Sequence, residues 1–204
     1  MPRLISFACI LALAQHSFSA DPVTVYPVDG ATIGVAWGNG TDAPEAYYRP
    51  LFRTLNKAGI SVAAATTGQA GDGRDIILAG ELLAELGCTR IVAMGHSQGG
   101  GGATRAAAAR PDLFAAVCPI MPGGGASSRL PCFVVSGSLD KRAPATSIEK
   151  NLVRRYAGPV LHAEREGINH LGWSDAEVMT RVVKFAKDGS LELDGRWRIV
   201  TDRY

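Results

Sequence analysis

Residues 89–111 read TRIVAMGHSQGGGGATRAAAARP. An apolar run of β type, a serine among glycines and a helical run of small residues follow one another without a spacer. No other stretch of the 204 residues constrains the fold as tightly. Gly95-His96-Ser97-Gln98-Gly99 fits G-x-S-x-G, a turn in which a strand passes directly into a helix and holds a serine hydroxyl above the sheet edge. Such a turn is strained, and a Cβ two residues to either side of the serine would collide with neighbouring backbone. A helix starting near Gln98 aims its free N–H groups and positive end at the space above the hydroxyl. Gly100, Gly101, Gly102 and Ala103 allow that helix to lie very close to the sheet.

A phosphate cradle fits poorly. A P-loop ends in Gly-Lys-Ser/Thr, and residues 89–110 contain no lysine. A dinucleotide fingerprint belongs on the first strand–helix unit, with an acid closing the next strand. This turn follows the third strand, and the strand after it ends in Cys118-Pro119.

The rest of the chain supplies the sheet that such a turn needs. ATIGVAW (31–37), ISVAAAT (60–66), TRIVAMG (89–95), LFAAVCPI (113–120), CFVVSGS (132–138) and PVLHAERE (159–166) are strand candidates, mostly continuous apolar runs as in strands buried on both faces. Helical patterns alternate with them. Tyr48, Leu51, Phe52 and Leu55 share one helical face, with Gly59 placed as a stop. Ile76, Ile77, Leu83 and Leu86 share the inward face of the next helix, which Gly87 ends. PATSIEKNLVRRYAG stops at Gly158, and SDAEVMTRVVKFAKDG carries Ser174 and Glu177 as a capping box. This alternation predicts an α/β fold with a mostly parallel sheet and helices on both faces. MPGGGASSR (121–129) reads as a loop near the site edge. LELDGRWRIV predicts a C-terminal β-hairpin turning at Asp194-Gly195.

A formal net charge of +2, with no basic run and no acidic tail, gives no electrostatic case for nucleic acid or an anionic membrane. Residues 1–20 read as a signal peptide: Arg3, then LISFACILALA, then small residues at Ser17, Ser19 and Ala20. The apolar run is too short to span a bilayer. The expectation is a secreted or periplasmic domain over 21–204 with no membrane insertion. Export permits disulfides. Cys88, Cys118 and Cys132 then suggest one bridge and one buried thiol, with the pairing open. No Cys/His cluster has metal-ligand spacing.

A serine nucleophile needs a base, and the base needs an orienting acid, here in the chain order Ser, Asp/Glu, His. Asp140 follows the strand VVSGS directly, whereas Asp112, Asp175 and Glu177 sit where helix ends account for them. His170 lies in the loop GINHLGW between the last parallel strand and the last helix. His16 falls in the signal segment, His96 flanks the serine and packs or lines the cleft, and His162 falls inside a strand pattern. Ser97, His170 and Asp140 are therefore the candidate nucleophile, base and orienting acid. The oxyanion needs two N–H donors. Gln98 offers one, and the loop WGNGT (37–41) offers the other through Asn39, with Gly38 as the neighbouring alternative. Trp37, Tyr47, Met121 and Trp173 are candidate pocket walls.

WGNGT, GHSQGGGG, GSLDKRAP and NHLGW together resemble the α/β-hydrolase superfamily, in particular its small exported branch of cutinase-like polyester hydrolases, dienelactone-hydrolase-like proteins and chlorophyllase-like esterases. The resemblance covers roughly residues 31–187. It implies a compact, lidless α/β-hydrolase fold and cleavage of a small or polymeric carboxylic ester without metal or organic cofactor. It also maps the backbone oxyanion donors to Asn39 and Gln98. The chain departs from polyester-degrading relatives at Asn39, where they carry an aromatic residue, at Gln98, where they carry methionine, and at Met121-Pro122, where they place a tryptophan. The same machinery also serves thioesterases, amidases and acyltransferases, and a non-catalytic exported binding module is the alternative of another class.

Overall fold

The structure, a computed structural model, describes residues 22–67 and 70–204. The signal peptide expected over residues 1–20 lies outside the described residues. Along the chain come β1 (Val23–Tyr26), β2 (Ile33–Gly38), α1 (Arg49–Lys57), β3 (Ile60–Ala65), α2 (Arg74–Glu85), β4 (Arg90–His96) and α3 (Gln98–Ala109). They are followed by β5 (Ala116–Ile120), β6 (Cys132–Gly137), α4 (Ala145–Asn151), β7 (Val160–Arg165), α5 (Ala176–Asp188) and β8 (Trp197–Arg203). Side by side, the strands form one eight-stranded sheet in the order β1-β3-β2-β4-β5-β6-β7-β8. β2 to β7 run parallel, and the edge strands β1 and β8 run antiparallel to their neighbours. This is the α/β-hydrolase fold.

Strand alternation sorts the side chains into two cores. Val35 and Trp37 of β2 and Val92 and Met94 of β4 face the layer of α1 and α5, where Leu51, Phe52, Val182 and Phe185 cover them. Ala36 and Ala93 face the opposite layer of α2 and α3, among Ile76, Leu83, Ala103 and Ala107. The second interface is lined with small residues on both sides, so α3 settles almost onto the strands. A Cβ on Gly99 would run into the Gly38 carbonyl, and one on Gly102 into the Ala70 carbonyl. The chain leaves β2 for β3 on one side and later crosses to β4 on the other. That reversal opens a crevice at the carboxyl ends of β2 and β4, where ligands bind in open α/β sheets.

Several local expectations shift. The residues before Asp194-Gly195 form no strand; Asp194 closes a turn by accepting from Trp197 N at 3.0 Å. The C-terminus is thus a single strand, β8, added to β7, and not a hairpin. Alternating residues signalled a strand, and the free edge of β7 supplied its partner. Helix α5 is capped by Asp175 and not by Ser174, because the Asp175 carboxylate accepts from Glu177 N and Val178 N. Leu86 is 54% exposed, since α2 ends one residue before it and Gly87, at φ 91°, turns the chain away. Cys88, Cys118 and Cys132 are all buried free thiols. Cys118 faces the α1/α5 core while Cys132 faces the α2/α3 core, so the sheet separates them.

Candidate active site

Ser97 is the single residue between β4 and α3, and it has φ 54°, ψ −117°. A non-glycine residue held there stores about 1–3 kcal/mol of strain. The surroundings enforce it: Ser97 N donates to Ile120 O at 2.9 Å, and Ser97 O accepts from Gly101 N and Gly123 N, each at 3.2 Å. Gly95 and Gly99 close the turn, since a Cβ on Gly95 would meet the Gly99 carbonyl. The bend therefore depends on glycine at both flanks, as its sequence suggested.

Asp140 is buried in the turn after β6, its N bonded to Gly137 O at 3.1 Å. One carboxylate oxygen, Oδ1, accepts from Arg142 N at 2.8 Å and Ala143 N at 2.9 Å. The other, Oδ2, lies 2.8 Å from His170 Nδ1. His170 Nε2 in turn lies 2.9 Å from Ser97 Oγ. A carboxylate only accepts, so the shared proton sits on Nδ1 and the Nε2 lone pair faces the serine hydroxyl.

His96 is buried beneath this relay. Burial pushes its pKa down to about 4, so the ring is neutral at ordinary pH. Its Nε2 lies 2.7 Å from the His170 carbonyl, which can only accept, so Nε2 carries the hydrogen. Nδ1 then accepts from the Tyr48 hydroxyl at 2.9 Å. The same hydroxyl accepts from Gly40 N at 3.0 Å, and burial raises its pKa to about 12. One directed chain of hydrogen bonds thus ties the loop after β2 to the backbone of His170.

Two cavities open on Ser97. One, of about 790 Å³, is lined by Gln98, Thr41, Gly71, Asp72, Arg74 and Arg105 among others. The second, of about 480 Å³, is walled largely by Ala43, Pro44, Tyr47, Tyr48, His170 and Leu171. Tyr47 therefore lines the site. Trp173 stands behind it, 3% exposed, with its ring 5.1 Å from that of Tyr47 and 4.8 Å from that of Tyr48. Trp37 and Met121 do not reach the cleft. Trp37 points into the α1/α5 core against Tyr48 and Phe52, and Met121, at φ 47°, packs into the same core. Asn39 is fully buried too. Its side chain accepts from Trp37 Nε1 and donates to Ala65 O, pinning the loop to β3 from behind. The loop residue that lines both cavities is Thr41. The sequence carried no signal for Tyr48 beyond its place on a buried helical face, nor for Arg105.

Parts of the chain are similar to known proteins. The chain is 43% identical over 60 residues to "Cutinase 2" of Thermobifida cellulosilytica, covering 28% of this chain and 22% of that protein. It is 43% identical over 60 residues to "Cutinase cut1" of Thermobifida fusca, covering 28% of this chain and 18% of that protein. It is 34% identical over 88 residues to "Cutinase 1" of Thermobifida cellulosilytica, covering 40% of this chain and 33% of that protein. The match thus spans a third or less of each relative's length. These likenesses to cutinases are thus confined to part of the chain. No protein-family profile matches the chain.

Proposed function

We propose that this chain is a serine hydrolase that cleaves carboxylic esters through an acyl-enzyme. The single observation that carries the proposal is the unbroken Ser97–His170–Asp140 chain, at 2.9 and 2.8 Å, on a strained turn that opens to two cavities. In this reading His170 Nε2 takes the hydroxyl proton as Ser97 Oγ attacks the ester carbonyl, while Asp140 stabilises the imidazolium and holds its tautomer. The proton passes to the departing alcohol. Water, deprotonated by His170, then attacks the acyl carbonyl; the bond to Ser97 Oγ breaks, His170 returns the proton to that oxygen, and the acid leaves.

The developing oxyanion is met by the Gln98 N–H at the start of α3 and by a second amide from the loop after β2. Asn39 was the expected source, but its burial and the pairing of Gly40 N with Tyr48 leave Thr41 N as the donor in this reading. Such a donor contributes about 3 kcal/mol to the transition state. The cutinase likeness and the open crevice favour an ester substrate, small or polymeric. The signal-peptide pattern of residues 1–20 favours export, and no helix among the described residues is long and apolar enough to cross a membrane. The test is labelling by a fluorophosphonate followed by peptide mapping. Ser97 should carry the label, and Ser97→Ala should remove both label and ester turnover; turnover by the purified alanine variant would refute the proposal.

A further inference from the structure

The two cavities that meet at Ser97 differ in chemistry. On the Tyr47 side the wall is mainly aromatic and aliphatic, and its two charged residues, Asp42 and Arg142, are of opposite sign. On the Gln98 side the lining is glycine and polar side chains, with two arginines against one aspartate. The aspartate is already engaged: Asp72 Oδ2 accepts from Arg74 Nε at 2.6 Å, and its Oδ1 accepts from Arg74 N at 3.0 Å. That pair leaves Arg105 as the uncompensated charge of the cavity.

Arg105 stands two turns along α3 from the nucleophile, yet its guanidinium folds back toward the start of the helix. Nη1 donates to the Gly71 carbonyl at 2.6 Å, which anchors the fork over the cavity. The fold makes room for it, because a Cβ on Gly101 would stand 3.1 Å from Nη1 and 2.8 Å from the Gly124 carbonyl. Among the described residues no carboxylate lies within ion-pair distance of Arg105. A guanidinium has five N–H donors in one plane, and one backbone carbonyl uses only one of them. The rest match the two oxygens of a carboxylate.

We infer that the Arg105 cavity receives a carboxylate on one arm of the substrate, so that the preferred substrates are half-esters of dicarboxylic acids, with the neutral arm lying against Tyr47 and Leu171. This rests on the ester-hydrolase reading of the same site and adds a substrate class to it. A polar pocket of about 790 Å³ has room for a short carboxylate arm. An arginine lining the cavity that opens on the reacting serine selects for charge at one end of a substrate and against a second apolar arm, whose entry would strip water from the guanidinium without replacing its hydrogen bonds.

The test is calorimetric titration of the full chain carrying Ser97→Ala, so that ligands persist, with monomethyl adipate and dimethyl adipate in parallel. The monoester should bind about tenfold more tightly than the diester. Adding Arg105→Gln should bring the ratio to about one, while Arg105→Lys, which keeps the charge and loses the fork, should retain part of it. High salt should narrow the ratio in the arginine form. Equal affinities in the Ser97→Ala chain, or a preference that survives Arg105→Gln, would overturn the inference. Turnover of dimethyl adipate by the unaltered chain is measured separately, so a failure of ester hydrolysis and a failure of anion selection give different results.

Discussion

Among the described residues the sequence serine–histidine–carboxylate occurs twice. At the sheet edge, Ser97, His170 and Asp140 are linked at 2.9 and 2.8 Å. Inside the molecule, Ser136 Oγ lies 3.0 Å from His162 Nε2, and His162 Nδ1 lies 3.1 Å from Glu149 Oε2. The carboxylate again fixes the hydrogen on Nδ1, so the two imidazoles share a tautomer as well as a set of partners. Yet Ser136 sits within β6 and both it and His162 are fully buried, whereas Ser97 occupies a bend at φ 54° with a cavity on each side. Glu149 also accepts from Thr201 Oγ1 at 2.8 Å, which fastens edge strand β8 to the body of the fold. Three residue types at hydrogen-bonding distance therefore make a buried polar clasp as readily as a reactive centre. Access, strain and nearby amide donors distinguish the two.

The most severe test of this distinction is to remove each serine. Ser97→Ala should lower kcat on a simple ester by about a thousandfold or more, whereas Ser136→Ala should stay within about twofold. Comparable losses in both would erase the contrast. Removing each histidine should invert the pattern. His162→Ala leaves Ser136 Oγ and Glu149 Oε2 without their shared partner and a void in the core, and should cost about 3 kcal/mol of unfolding free energy with activity per folded molecule retained. His170→Ala leaves no void in the core but takes the partner from Asp140 Oδ2, and should cost about 1–2 kcal/mol and abolish turnover. Urea unfolding beside ester kinetics reads both.

A third test concerns pH. The folded pKa of His96 is lowered to about 4 from an ordinary 6.5, so between those values the unfolded chain binds more protons than the folded one. Stability should be unaffected by this group above pH 6.5, fall as pH drops toward 4 by up to about 3 kcal/mol, and level off below. Burial also lowers the pKa of His162, so the inner clasp acts in the same direction. His96→Gln should flatten most of the slope in a series of urea midpoints. The smallest effect concerns the support beneath the reactive chain. Tyr48→Phe removes the hydroxyl that joins Gly40 N to His96, and should cost about 1 kcal/mol of stability and about tenfold in kcat, with KM little changed. A loss confined to stability would show that the linkage is packing alone.

Much of this was legible in the sequence because the bend at Ser97 is local. Glycines at 95 and 99, an apolar run before them and small residues after them specify a strand–turn–helix whatever surrounds it. The order of Asp140 and His170 along later strand ends followed from the fold that this bend requires. What escaped was direction. Trp37 and Asn39 were rightly placed at the end of β2, but strand alternation sets Trp37 on the same face as Val35, away from the cleft. The hairpin failed for a related reason, since alternation identifies a strand and says nothing about which edge will pair with it. The Ser136–His162–Glu149 clasp left no trace at all, because its members come from β6, β7 and α4 at spacings that carry no pattern.

The glycines of α3 have one further consequence, for folding. Four consecutive glycines at residues 99–102 each weaken an isolated helix by about 1 kcal/mol relative to alanine, so this segment should have almost no helical content in the unfolded chain. It becomes a helix only when β2 and β4 are already assembled beneath it. The first turn of α3 should therefore be among the last pieces to consolidate during refolding, and recovery of the reactive serine should lag behind formation of the sheet.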